Sequence, residues 1–166
     1  MKELKVLSVL PLLLISLIVM EKKSNGNSLQ VGDISFISMK SSNNDSFSII
    51  TSVNLQPGTK IHFTDSEWNG NHFGFDESNI LWKTGNHIIK ANSIIKFTNL
   101  NSTPFVSIGS LYGYMRISKK KDAIFAYIGN ERMPIKILAA CANDELGFGT
   151  LVNTGLIKDI TAIMFH

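Results

Sequence analysis

Ile61-His62-Phe63-Thr64-Asp65-Ser66-Glu67-Trp68-Asn69-Gly70-Asn71-His72-Phe73 begins as a strand and ends as a turn. Ile61 and Phe63 recur at the two-residue period of a half-buried strand, and His62, of opposite parity, is expected to face solvent. From Asp65 the chain turns polar, and Asn69-Gly70 is a turn signal. The stretch runs on to a second strand at Leu81-Trp82, so it reads as two β-strands joined by a loop. It holds both tryptophans, two of the four histidines and the carboxylates Asp65, Glu67 and Asp76.

The same rhythm extends in both directions. Residues 32–39 alternate in part, with Ile34 and Phe36 on one side, and Ser41-Ser42-Asn43-Asn44-Asp45 is turn chemistry. Phe47, Ile49, Val53 and Leu55 at even spacing predict one face of a strand. Gln56-Pro57-Gly58-Thr59 has the Pro-Gly pair of a type II turn, and the flanking strands are expected to form a meander with 60–64. Further strands are expected at 80–83, 88–89, 93–98 and 105–108, with a bend at the glycines of 109–114. Residues 123–128 and 134–142 predict a hairpin around Gly129-Asn130-Glu131-Arg132, and 161–165 closes the chain. After residue 30 nothing sustains a 3.6-residue apolar period. The expected fold is all-β, a single antiparallel β-sandwich domain at 32–166, after a signal segment at 1–26 and a short linker at 27–31.

The first residues set the expected compartment. A short basic stretch precedes residues 6–20, an uncharged run too short for a spanning helix of ~20 residues and interrupted by Pro11. Ser24 and Gly26 are spaced for signal cleavage, placing the mature start near Asn27. Retention as an uncleaved N-terminal anchor is the other option; the cysteine that lipidation would need is absent. Export to the periplasm, the cell surface or the medium follows, with no transmembrane span in the mature chain. Residues 1–26 carry four lysines and two glutamates, so without them the formal charge of +3 becomes +1. The basic pI of about 9.0 is then mostly a property of the leader and gives no case for a nucleic-acid partner. The single cysteine, Cys141, excludes an internal disulfide or a cysteine zinc cage, and its apolar surroundings read as core.

Several stretches, in order, resemble a β-sandwich module of bacterial secreted and surface proteins that is similar to lamin-tail-like sandwiches. They are Gly32-Asp33-Ile34-Ser35-Phe36, the Ile-x-Phe-Thr-Asp-x-x-Trp-x-Gly signature at 61–70, Leu81-Trp82, Asp122-Ala123-Ile124-Phe125-Ala126-Tyr127 and Thr154-Gly155-Leu156. The resemblance implies a β-sandwich in an exported protein and implies little about activity.

The candidate site lies in the opening stretch. Counting from Asp65 as position one, Glu67 is three, Asn69 five, Gly70 six, Asn71 seven and Asp76 twelve, a spacing of oxygens that suits a calcium loop. Strands flank it where an EF-hand has helices, and His72 stands where an apolar residue belongs. A polar turn bonding its own backbone accounts for the same residues. Trp68 and Trp82, with Asn69 and His72, could offer an aromatic platform to a carbohydrate, or could fill the core. His72 with Asp65, Glu67 or Asp76 is the alternative, a secreted hydrolase. No His-x-x-x-His, Gly-x-Ser-x-Gly or phosphate-binding glycine loop occurs. The expected function is non-catalytic binding or adhesion at the cell surface, to a carbohydrate or protein ligand, with calcium as the candidate ion. A purely structural envelope component is the third reading.

Overall fold

The computed structural model describes residues 29–165 and, for the backbone, Lys23–Ser24. The expected signal segment, its cleavage site and the first two linker residues lie outside the described residues, except for that short strand. Among the described residues no helix is long and apolar enough to cross a membrane.

The protein is an all-β sandwich. Among the described residues the strands are β1 (Lys23–Ser24), β2 (Ile34–Lys40), β3 (Ser46–Thr51), β4 (Asn54–Leu55), β5 (Lys60–Thr64), β6 (Asn79–Lys83), β7 (Ile94–Thr98), β8 (Phe105–Val106), β9 (Ser110–Tyr112), β10 (Ala123–Asn130), β11 (Met133–Ala142) and β12 (Ala162–Met164). One sheet has the order β2-β3-β7-β8 and the other β12-β11-β10-β5-β6-β9. All pairings in these two sheets are antiparallel except β11 with β12. The short β1 lies parallel to β4.

Aromatic side chains fill the space between the sheets. Phe63 of β5 meets Phe47 at 5.0 Å, Phe97 at 5.1 Å and Phe36 at 6.2 Å between ring centroids, joining the two layers. Trp82 is fully buried in the same cluster, edge-on to Phe97, and its indole N–H donates to the Ile108 carbonyl at 2.8 Å. Cys141 is also fully buried here, and burial pushes its thiol pKa well up.

Two expectations about connectivity are corrected. The spacing of Phe47, Ile49, Val53 and Leu55 predicted one strand, and all four are buried, but β3 ends at Thr51. The Thr51 hydroxyl donates to the Val53 carbonyl and accepts the Val53 N–H, which folds the chain before β4. The Pro57-Gly58 turn forms as expected, with Gly58 at φ 74° and Thr59 N–H on the Gln56 carbonyl. It does not close a meander. β2 and β3 lie in one sheet and β5 and β6 in the other, so this turn carries the chain across the sandwich. The β10–β11 hairpin forms where expected, with Arg132 at φ 59° in its turn.

The β10–β11 pair departs from simple alternation. Residues 123–128 and 137–142 are buried without interruption. Ile124 and Ala126 face the other sheet, while Phe125 and Tyr127 belong to a second cluster on the opposite face with Trp68, Phe73, Phe148 and Leu156. The loop 65–78 and the irregular segment 143–161 supply that cover. The six-stranded sheet is therefore buried on both faces at its centre, which explains the unbroken apolar runs.

Truncating Phe63 to Ala removes the ring that joins the two layers and should cost about 3–5 kcal/mol. Urea unfolding would show it as a lower midpoint at unchanged slope; a loss within error would contradict this account of the core.

Candidate functional site

Loop 65–78 has a buried underside and an exposed rim. Asp65, Ser66, Trp68 and Phe73 are buried, while Glu67, Asn69, Asn71, His72, Phe75, Asp76 and Glu77 are exposed. The Trp68 indole N–H donates to the Val152 carbonyl at 2.8 Å, and its ring meets Phe73 edge-on at 4.9 Å. Trp68 also accepts the Thr150 N–H at its carbonyl, 3.1 Å away. Gly149, at φ 64°, passes so close that a Cβ there would lie 2.7 Å from that carbonyl. Only glycine suits both the dihedral and the approach.

The ends of the loop are tied by a carboxylate. Asp65 accepts the Ser78 N–H at 2.7 Å, so the residue leaving β5 holds the residue entering β6. From the hairpin side the Arg132 guanidinium donates to the carbonyls of Phe75 and, at 3.0 Å, Glu77. Beneath it the Tyr127 hydroxyl accepts the Arg132 N–H at 2.8 Å and an Asn79 amide N–H at 2.5 Å. Asn79 Oδ1 lies 3.0 Å from His62 Nδ1, so that nitrogen carries the proton.

His62 therefore corrects an expectation. Its parity is opposite to Ile61 and Phe63 as read, but it is 8% exposed and stacked on Tyr127 at 5.2 Å. The face it points to is covered by loop 65–78 and the second cluster instead of by water.

The candidate residues do not form the sites their spacing suggested. Asn69 Oδ1 accepts the N–H groups of Asn71 at 2.9 Å and His72 at 3.0 Å, the local turn bonding of an Asx residue. Asn71 is exposed. Among the described residues no three His, Cys, Asp or Glu side chains come together as a metal ion requires. The calcium set Asp65, Glu67, Asn69, Asn71 and Asp76 is thus spread between a buried tie, a self-bonded turn and an exposed rim. Trp82 is wholly inside, and Trp68, 6% exposed with its N–H committed, reaches the surface only as part of the lining of a shallow hollow. The His72 ring bonds the Phe73 carbonyl at 2.8 Å through Nδ1 and the Asn69 amide at 2.9 Å through Nε2, rather than a carboxylate.

What the fold does gather is negative charge. Asp122, the residue before β10, is buried near enough for its charge to act on Asp65, and burial raises its own pKa to about 6. Burial, then the charge of Asp122, raises Asp65 to about 7 against the pull of its Ser78 bond. Glu77 is raised to about 7 by partial desolvation and then by Asp65, Asp122, Asp76 and Glu67. Next to these carboxylates, Glu67, Asn69, Asp76, Glu77 and Thr150 border a hollow of about 420 Å³. Sequence reasoning missed Asp122 as a member, because it lies 57 positions beyond Asp65 and only the β5–β10 pairing of Thr64 with Phe125 brings them together.

Compared with protein-family models, with curated proteins and with solved structures, the chain finds no match.

Gly149→Ala should destabilise the protein by about 1–3 kcal/mol, since it combines a left-handed backbone with a clash against Trp68. Gly85→Ala is the control: a Cβ there meets nothing within 4 Å, and stability should change by less than about 0.5 kcal/mol. Equal effects of the two substitutions in thermal melts would refute the packing described for Trp68.

Proposed function

We propose that the protein is a non-catalytic exported β-sandwich module that binds at the cell surface, and that the acidic hollow on loop 65–78 is its recognition surface. The observation that carries this reading is the division of the loop. Its apolar side is locked into the sheet, and Glu67, Asn69, Asp76 and Glu77 are left exposed around the hollow. Recognition residues held on a fixed base lose little freedom on binding. The bonding of His72 to Asn69 and the Phe73 carbonyl supports binding over hydrolysis. Burial of both tryptophans supports a protein ligand over a carbohydrate, and the carboxylates favour a ligand that presents lysine or arginine. The place of the Ile-x-Phe-Thr-Asp-x-x-Trp-x-Gly stretch at a strand-to-loop junction of a sandwich supports including the module among lamin-tail-like sandwiches.

The test is an amide NMR titration with a short lysine-rich peptide, with a neutral oligosaccharide in parallel. Shifts confined to residues around Glu67, Asn69, Asp76 and Thr150, weakened by salt and seen only with the peptide, are expected. Shifts elsewhere, or none at millimolar peptide, would reject the hollow as the recognition surface. Calcium alone, followed by melting temperature, decides the ion: a bound ion must raise it, and no rise at millimolar calcium removes calcium from the reading.

A further inference from the structure

Residues 113–122 join β9 to β10 by crossing the β2–β3 turn at one end of the sandwich, and the side chains of this strap are sorted by side. Met115 and Ile117 are buried, while Arg116 and Ser118 alternate with them and are exposed, as are Lys119, Lys120 and Lys121. The backbone is pinned on both flanks. The Met115 N–H donates to the Leu100 carbonyl at 2.9 Å, and the Ile117 N–H to Asp45 Oδ2 at 2.9 Å. The Ser41 hydroxyl donates to the Ile117 carbonyl, and the Asn143 amide to the Ser118 carbonyl, each at 2.8 Å.

Between the strap and the β2–β3 turn lies a hollow of about 600 Å³, separate from the acidic one. Ser42 and Asn43 border it from the turn, Arg116, Ser118 and Lys119 from the strap, and Asn101 from the β7–β8 connection. Asn101 holds the turn in place, its amide donating to the Asn43 carbonyl at 3.2 Å.

Charge is divided here between inside and outside. Asp45, 1% exposed, also borders the hollow, but its two oxygens accept the N–H groups of Ser42 and Ile117. Asp122 is turned onto the Ser118 N–H, and Asp144 onto those of Lys121, Leu146 and Gly147. The cations Lys40, Arg116, Lys119, Lys120 and Lys121 are all exposed, and among the described residues none of them makes an ion pair. The carboxylates thus serve the backbone, and the rim keeps an excess of positive charge.

The lining selects among anionic partners. Binding to a membrane surface inserts apolar side chains, and every exposed side chain that borders the hollow is polar or charged. A single-stranded nucleic acid stacks its bases on aromatic side chains, and none borders the hollow. Hydroxyl and amide groups interleaved with cations match a polyol that carries charged groups, since each hydroxyl finds a polar partner and each anion a charge-assisted one.

We propose that this hollow is a second binding site, for an acidic glycan. A carboxylate or sulfate group of the glycan pairs with Arg116 and Lys119, and its hydroxyls bond Ser42, Asn43 and Ser118. The site is independent of the acidic hollow on loop 65–78 and of the ligand taken there.

The test is an amide NMR titration of the full chain with a uronic-acid hexasaccharide and a sulfated hexasaccharide. A neutral hexasaccharide, inorganic sulfate and a single-stranded hexanucleotide run in parallel. Shifts at Ser42, Asn43, Arg116, Ser118 and Lys119, produced by at least one acidic hexasaccharide and diminished by salt, are expected. Arg116→Gln and Lys119→Gln, both exposed, should each weaken that binding about threefold to tenfold. Lys90→Gln is the control: Lys90 is exposed near the far end of β3, where the Asn92 N–H meets the Thr51 carbonyl, and binding should not change. Five results would each overturn the site: no shift at millimolar acidic saccharide, shifts confined to loop 65–78, equal binding of the neutral hexasaccharide or of sulfate alone, tighter binding of the hexanucleotide, or affinity unchanged in both Arg116→Gln and Lys119→Gln.

Discussion

The structure depends on one constraint: β10 and β11 are buried on both faces. A two-layer sandwich needs only one apolar side per sheet, and the solvent side can be polar. Here Phe125 and Tyr127 point away from the aromatic core made by Phe63, Phe47 and Phe97, and need a cover of their own. Loop 65–78 and segment 143–161 provide it through Trp68, Phe73, Phe148 and Leu156. These connections act as a third layer made without regular strands.

Irregular backbone laid over an apolar surface leaves N–H groups that no ladder satisfies, and burying them unpaired is costly. The chain answers with aspartates. Asp33 accepts the Gln30 N–H, Asp45 those of Ser42 and Ile117, Asp65 that of Ser78, and Asp122 that of Ser118. Each buried carboxylate ties a segment that has left the sheet back to its edge. The surface ion pairs Glu131–Arg132 and Glu145–Lys158 are exposed and contribute little by comparison. The same solution brings like charges within reach of one another, Asp122 acting on Asp65 and Asp45 on Asp122.

Period-two spacing and turn chemistry made the fold class and most strands legible: Phe36, Phe63 and Trp82 are where alternation puts them, and the turns at Gly58 and Arg132 form as their residues predict. Connectivity was less legible. Evenly spaced Val53 and Leu55 continue the pattern of β3, and only the bonds of the Thr51 hydroxyl break it. Parity assigned His62 to the correct face but could not show that the face was covered. Phe148 and Leu156 gave no strand signal, since each is isolated among turn residues. The unbroken apolar runs at 123–128 and 137–142 did carry the signal of double burial, and they implied a cover that the loops had to supply. In the site, oxygen spacing suggested a metal cage, but Asn69 had a nearer partner in its own backbone, and Asp122 could be placed near Asp65 only by long-range pairing.

The central claim is that loop 65–78 is part of the core layer and not a surface excursion. Hydrogen exchange at the Trp68 indole N–H, bonded to the Val152 carbonyl 84 residues away in sequence, tests it most directly. The account predicts protection comparable to that of the β10–β11 ladder amides, because opening this bond means lifting the cover from Phe125 and Tyr127. Exchange at the rate of a solvent-exposed indole, with the ladder still protected, would contradict it.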